Sequence, residues 1–213
     1  MSKNLWSMIV PVKRLALGKS RLAAAAGAYR SELALAVATD TVGAALRCPS
    51  VGVVVVVTED PRAADSLGAL GAVVVPDGPV PGLNEALRRG AEWIRPRGLG
   101  LAALQADLPA LRPEELQAVL CEAERLPHGF LPDRAGTGTV FYSARAGEEF
   151  APAFGGPSRA RHLALGVPEL RPGPVPSVRT DVDTLADLRA ALELGVGPRT
   201  AAVAEKILSM SPR

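Results

Sequence analysis

Cysteine is scarce in this 213-residue chain, which contains only Cys48 and Cys121. Two cysteines are too few for a disulfide scaffold or a cysteine-rich zinc site, and the low number is typical of a reducing cytosol. Charge is nearly balanced, with 24 Lys and Arg against 22 Asp and Glu, which does not favour a nucleic-acid partner. The sequence also lacks a charged-then-apolar leader and any run of about 18 uncharged apolar residues. We therefore expect a cytoplasmic globular protein that binds neither nucleic acid nor a membrane.

Lysine and asparagine are also rare, with four lysines and two asparagines. The remaining basic residues are arginine, and alanine, glycine and proline are abundant, which is typical of a GC-rich genome. Residue types that persist against such a bias are more informative than usual. This reasoning draws attention to Lys13, Lys19 and Asn84.

The hydrophobic pattern predicts strands that alternate with helices. Four runs of mostly apolar residues predict buried strands, over 5–12, 51–58, 72–75 and 99–105. Helical patterns lie over about 20–47 and begin again at Pro61, Asn84 and Pro113. Asp60 is the expected N-cap of the helix that begins at Pro61. This order predicts a single α/β domain over 1–213, built as a three-layer α/β/α sandwich with a mainly parallel central sheet.

Residues 126–157 interrupt this alternation and contain five of the eight aromatic residues. We interpret the segment as an aromatic-rich insertion, whose rings belong either to a local core or to a base-stacking surface. Further on, Thr184 and Asp187 have the spacing of a capping box, which predicts a helix over 185–194.

A basic loop follows the first predicted strand. It carries Lys13, Arg14, Lys19 and Arg21 around Gly18. Ligands of open α/β sheets gather at the carboxyl ends of strands, so these cations are suited to a triphosphate. The spacing matches neither a Walker loop nor a dinucleotide loop. The alternative is a solvated basic loop that adds little to stability.

Three acidic residues are candidate metal ligands. Asp107 ends a predicted strand, and Asp181 and Asp183 project to one face if their segment is extended. Carboxylates suit the Mg²⁺ that nucleotidyl transfer needs, and without a metal ion they would repel one another. The alternative is that the three acids only cap turns and helices.

A glycine-rich segment, Phe154-Gly-Gly-Pro-Ser158, precedes a short predicted helix over 159–165. Ser158 is expected at the N-cap of that helix. The same geometry leaves backbone N–H groups for an anion, and the glycines permit its close approach.

Seven short motifs occur in order between residues 11 and 184: PVKRLALGKSRL, VVVVTED, GLNEAL, QADLPAL, GTGT, FGGPS and TDVDT. Together they resemble the guanylyltransferases of coenzyme F420 biosynthesis, in the nucleotidyltransferase branch of the glycosyltransferase-A-like fold. The resemblance implies transfer of GMP from GTP to phosphoenolpyruvate or 2-phospho-L-lactate, of which we favour phosphoenolpyruvate. It also implies a hand-over of the product to the next enzyme of that pathway.

The resemblance further implies roles for individual residues. They are Asp107, Asp181 and Asp183 on Mg²⁺; Thr139, Gly155 and Ser158 on the phosphorylated acid; and Lys13, Lys19, Arg21 and Asn84 on the nucleotide. Lys13, Lys19 and Asp107 would act in catalysis. Two other functions stay open: a cytidylyl- or molybdopterin-guanylyl-type transferase on the same fold, and a nucleotide-binding regulatory module without catalysis.

Overall fold

The computed structural model describes residues 6–78, 81–94 and 98–210. Its strands are β1 (Trp6–Pro11), β2 (Val51–Val57), β3 (Val73–Val75), β4 (Gly100–Leu104), β5 (His128–Pro132) and β6 (Thr139–Ala144). Its α-helices are α1 (Ala23–Ala26), α2 (Arg30–Leu46), α3 (Pro61–Gly68), α4 (Leu83–Ile94), α5 (Pro113–Ala123), α6 (Ser158–Ala164), α7 (Pro176–Arg179), α8 (Leu185–Leu194) and α9 (Pro198–Met210). Short 3-10 helices at Ser20–Leu22 and Gly27–Tyr29 flank α1.

All six strands form one sheet in the order β3-β2-β1-β4-β6-β5. The first four strands along the chain are parallel neighbours, and Ile9 of β1 lies opposite both Val55 of β2 and Ala103 of β4. A strand in this position is covered on both faces, so its sequence is continuously apolar rather than alternating. The prediction of a mainly parallel central sheet is confirmed.

Helices cover both faces of the sheet. Met8 and Val10 point into a buried cluster that includes residues of α2, α3 and α5. Ile9, between them, belongs to a second cluster with residues of α4. Gly90 lets α4 approach β1 closely, because a Cβ atom there would lie 2.5 Å from Ile9 Cγ2. The three-layer α/β/α arrangement is therefore confirmed.

The aromatic-rich segment is not an insertion into this sheet. Residues 126–157 supply β5 and β6, which extend the sheet as antiparallel strands beyond β4. Phe130 and Tyr142 are buried against the same sheet face as Ile9. The two strands break the strand–helix alternation, because antiparallel neighbours are joined by a hairpin and need no crossover helix.

The predicted helix caps agree with the structure at two sites. Asp60 accepts hydrogen bonds from the backbone N–H groups of Arg62 and Ala63 at the start of α3. Thr184 and Asp187 form the expected capping box of α8. In the described ranges 6–78, 81–94 and 98–210, every helix is too short or too polar to cross a bilayer.

Candidate active site

A cavity of about 360 Å³ lies at the carboxyl ends of β1 and β4. Three chain segments meet there: the loop after β1, the turn after β4 and the segment before α8. Their charged side chains line it, namely Lys13, Lys19, Arg21, Asp107, Asp181 and Asp183. Adjacent parallel strands end at the same sheet edge, which explains why residues distant in sequence meet there.

The loop after β1 is held from two sides. The backbone N–H of Leu15 donates to Asp60 Oδ2 at 2.9 Å, and the guanidinium of Arg30 donates to the carbonyls of Ala16 and Gly18. Lys19 follows with a left-handed φ of 53°, a conformation that non-glycine residues seldom adopt. The loop is thus shaped by its surroundings so that Lys19 points into the cavity.

Lys19 bridges two of the predicted metal ligands. Its Nζ lies 2.7 Å from Asp107 Oδ2 and 3.5 Å from Asp183 Oδ1. Only 9% of the Lys19 side chain is exposed, so it is not the solvated loop cation of the alternative interpretation. The expectation that the predicted metal ligands repel one another is wrong for Asp107 and Asp183, because the Lys19 ammonium lies between them.

Asp107 is only partly satisfied by this contact. Its second oxygen, Oδ1, is buried without a hydrogen-bond partner among the described residues. A buried carboxylate oxygen without a partner is energetically unfavourable. Asp107 therefore retains one oxygen for a cation or a donor.

Asp181 and Asp183 lie in an irregular segment and not on a β-strand, and both line the cavity. The residue between them, Val182, donates its backbone N–H to the Asp107 carbonyl at 3.0 Å. This bond places both acids beside the end of β4. Arg21, with 73% of its side chain exposed, approaches Asp183 at 3.6 Å.

The charges in this cavity shift the pKa values of its residues. Burial by itself would lower the pKa of Lys19, but the nearby carboxylates, Asp107 foremost, outweigh it and raise that pKa. Burial, reinforced by the charge of Asp107, raises the pKa of Asp181 to about 7. Asp107 and Asp183 are paired with cations, whereas Asp181 has no ion pair among the described residues, so an added cation is favoured beside Asp181.

Within the described ranges, no three His, Cys, Asp or Glu side chains stand close enough together to hold a metal ion without rearrangement. Lys19 explains this, since its ammonium occupies the space between Asp107 and Asp183. The donors present are carboxylate oxygens, which suit a hard divalent cation.

Asn84 lies at the start of α4, and the nitrogen and the oxygen of its side-chain amide both bond to the backbone of Phe154. Its Nδ2 donates to the Phe154 carbonyl at 3.1 Å, and its Oδ1 accepts from the Phe154 N–H at 2.9 Å. In this structure the Asn84 amide anchors the glycine-rich segment. Its contact with a nucleotide stays a prediction.

Thr139, Gly155 and Ser158 do not line the cavity and belong to a neighbouring region around the start of β6 and the start of α6. Gln105 joins the two regions, because it lines the cavity while its Nε2 lies 3.5 Å from the Thr139 carbonyl. Gly155 has a φ of +97°, in the region that favours glycine. Ser158 is the first residue of α6 and not its N-cap. Pro157 occupies that position, and no side chain caps the helix.

Sequence reasoning missed two residues that shape this site. Asp60 was identified only as a helix cap, whereas its second oxygen anchors the basic loop. His162 received no role, yet it is fully buried and bonds to both Thr139 and Ala153. The sequence feature that could have indicated a role for His162 is its position four residues after Ser158, which places both side chains on the same face of one short helix.

A mainly parallel sheet covered by helices, with a charged cavity at the carboxyl ends of its central strands, defines a nucleotidyltransferase-like α/β protein. Solved structures agree on the fold. One is described as a nucleotide-diphospho-sugar transferase from Desulfovibrio desulfuricans G20. It is 15% identical, covers 100% of both chains and has a TM-score of 0.71. Another is Rv0371c from Mycobacterium tuberculosis H37Rv in complex with manganese, 21% identical over 90% of this chain and 100% of that chain, with a TM-score of 0.57.

The sequence comparisons narrow this class to one family. Residues 6–166 match the family described as "Guanylyl transferase CofC like", and the chain belongs to it. A phosphoenolpyruvate guanylyltransferase from Thermomonospora curvata is 55% identical over 97% of this chain and 92% of its own length. One from Streptomyces coelicolor is 58% identical over 95% of this chain and 97% of its own length. The resemblance found from the motifs is confirmed.

Proposed function

We propose that this protein transfers GMP from GTP to phosphoenolpyruvate, forming enolpyruvyl-diphospho-guanosine and pyrophosphate for coenzyme F420 biosynthesis. The observation that carries the proposal is the meeting of Lys19 with Asp107 and Asp183 in one cavity at the carboxyl ends of β1 and β4. The choice of acceptor is supported by relatives named phosphoenolpyruvate guanylyltransferase that cover nearly the whole chain. The product would pass to the next enzyme of the pathway in the cytoplasm.

The reaction joins two anions. A phosphate oxygen of phosphoenolpyruvate attacks the α-phosphorus of GTP, and a new P–O bond forms. The bond from the α-phosphorus to the bridging oxygen breaks, and pyrophosphate leaves with the electron pair. The attacking phosphate is already deprotonated at neutral pH, so no general base is required. The protein must instead hold two repelling anions together in the correct orientation.

The cationic residues of the cavity are suited to the triphosphate. Lys13 and Lys19 are compact charges that would stabilise the leaving pyrophosphate. Arg21 is more exposed than Lys19 and would bind the triphosphate at the mouth of the cavity. Asn84 would contribute by fixing the glycine-rich segment beside the nucleotide.

The three acids would hold Mg²⁺. Asp107 offers a buried oxygen without a partner, and Asp181 and Asp183 line the same cavity. When bound, Mg²⁺ would screen the charge of both phosphate groups and orient them. For Asp107 and Asp183 to bind it, the Lys19 ammonium must leave the space between them. It would then be available to the triphosphate.

The phosphorylated acid would bind at Thr139, Gly155 and Ser158. They lie at the start of β6 and around the start of α6, next to the cavity through Gln105. Backbone N–H groups and two hydroxyls suit a phosphate or a carboxylate.

The test is product mass spectrometry with GTP, Mg²⁺ and phosphoenolpyruvate, while pyrophosphate release is followed in parallel. Reactions with 2-phospho-L-lactate, with no acid, and with CTP in place of GTP are the controls. We expect the enolpyruvyl product only with GTP and phosphoenolpyruvate. Preference for CTP would indicate a related cytidylyltransferase, preference for 2-phospho-L-lactate would reassign the acceptor, and GTP binding without turnover would indicate a regulatory module.

A further inference from the structure

His162 is a fully buried polar side chain that the proposed mechanism does not use. Its ring is stacked between two aromatic rings, with centroid distances of 5.1 Å to Phe130 and 5.3 Å to Tyr142. Phe154 meets it edge-on at 5.8 Å. A polar ring in such a pocket is stable only if its nitrogens have hydrogen-bond partners.

Both nitrogens of His162 are bonded, and the partners define the tautomer. The backbone N–H of Ala153 donates to Nε2 at 3.0 Å. A backbone N–H can only donate, so Nε2 carries no proton, and in the neutral ring the proton is on Nδ1. Nδ1 then donates to Thr139 Oγ1, which lies 3.1 Å away.

This tautomer has a consequence for Thr139. A hydroxyl that accepts from a histidine still has its own proton, which it can donate to another acceptor. The Thr139 hydroxyl therefore keeps its proton for an acceptor other than His162. That is the role required of a group that binds a phosphate or a carboxylate.

The second bond of His162 acts on the glycine-rich segment. Ala153 is bound to His162, and the next residue, Phe154, is bound at both its N–H and its carbonyl by Asn84. Gly155 follows directly. The backbone before Gly155 is thus held from α4 and from α6, and the second of these anchors is His162.

We propose that His162 is a positioning residue for the phosphorylated acid, which presents the Thr139 hydroxyl as a donor and holds the backbone that leads into Gly155. His162 does not touch the acid itself. His162 lies on α6, which begins with Ser158. It therefore connects α6 both with Thr139 and with the backbone before Gly155. This inference rests on the proposed function, because that function identifies the ligand as a phosphorylated three-carbon acid.

The test separates the use of the acid from the use of GTP. His162→Phe keeps an aromatic ring in the stack and removes both hydrogen bonds. We expect its KM for phosphoenolpyruvate to rise about ten- to a hundredfold, because the Thr139 hydroxyl, without the support of His162, loses its bond to the charged acid. Its KM for GTP should change less than twofold. His162→Gln retains a donor and an acceptor, and we expect it to recover part of the loss.

Ser143→Ala is the matched control, because Ser143 is buried on the same strand as Thr139 and its hydroxyl bonds to the Gly129 carbonyl. This variant should leave both KM values near those of the wild type. Melting temperatures of all variants show whether each is folded. Equal increases in the two KM values for folded His162→Phe, or behaviour like Ser143→Ala, would overturn the inference and leave the proposed function intact.

A measurement on the wild type covers the case in which His162→Phe does not fold. The ¹⁵N chemical shifts of the His162 ring at pH 7 should show a protonated Nδ1 and an unprotonated Nε2. The opposite tautomer would overturn the inference whatever the kinetics show. Failure of the wild type to transfer GMP to phosphoenolpyruvate would instead refute the proposed function, and the assignment of His162 to the acid with it.

Discussion

Replacement of Lys19 by methionine should destabilise the metal-free protein. Methionine retains much of the apolar length of the side chain but removes the ammonium, which lies 2.7 Å from Asp107 Oδ2 and 3.5 Å from Asp183 Oδ1. Sequence reasoning treats Lys19 as an exposed loop cation whose loss is neutral for stability. The 9% exposure of its side chain shows instead that Lys19 is largely buried, so we expect its loss to be costly.

The size of the effect follows from the burial of the three groups. Removing one partner of a fully buried ion pair costs about 3–5 kcal/mol. Here the carboxylates still reach water, with 21% and 46% of the Asp107 and Asp183 side chains exposed. We therefore expect a loss of about 2 kcal/mol, which lowers Tm by about 4–8 °C in a chain of this length.

Thermal unfolding with EDTA and with Mg²⁺ provides the assay. Mg²⁺ should raise the Tm of Lys19→Met more than that of the wild type, because no ammonium then competes for Asp107 and Asp183. Lys13→Met is the control, since Lys13 is an exposed lysine of the same loop, and its Tm should stay close to that of the wild type. If Lys19→Met unfolds at the wild-type temperature in EDTA, the buried ion pair does not stabilise the protein and our reasoning is refuted.

Three further predictions concern single groups. Asp107→Asn should abolish GMP transfer in the pyrophosphate assay. It should also lower the metal-free stability by about 1–2 kcal/mol, since Lys19 loses its partner at 2.7 Å; a variant as stable as the wild type would contradict this. Burial lowers the pKa of His162 to about 4 in the folded protein, from 6.5 for an unperturbed histidine. Between these two pH values the imidazole is protonated in the unfolded chain and neutral in the folded protein. The stability should therefore fall by up to about 3 kcal/mol as the pH decreases through this window, and urea unfolding of His162→Phe should lack this component. Ser158→Ala should raise the KM for phosphoenolpyruvate about tenfold without loss of a helix cap, because Pro157 holds the N-cap position; equal effects on the KM for GTP would reject the assignment.

The four parallel strands and the starts of most helices could be predicted because they depend on neighbours in sequence. The valine run of β2 reflects burial on both sheet faces, and Asp60 and the Thr184–Asp187 pair cap helices within three residues. The hairpin of β5 and β6 could not be placed, since an aromatic-rich pair of strands fits an insertion as well as a sheet edge. Only the pairing of β6 with β4 distinguishes the two.

The candidate site divides in the same way. The order of short motifs was enough to identify the family, and the residue types at Lys19, Asp107 and Asp183 were enough to expect phosphate and metal chemistry. Sequence spacing did not show that Lys19 pairs with acids 88 and 164 positions away, or that Asn84 binds a backbone segment 70 positions away. The contact between Lys19 and Asp107 exists because the sheet places the ends of β1 and β4 side by side.

The sequence by itself thus determined the four parallel strands, most of the helices, the layers of the fold and the family, because hydrophobic periodicity, helix capping and short motifs are local properties. Only the tertiary structure decided which charges neutralise one another and which polar groups are already bonded. Lys19 is an internal counter-ion, Asn84 is an anchor and His162 is a buried support. Each role depends on burial and on distances between segments that the order of residues does not state.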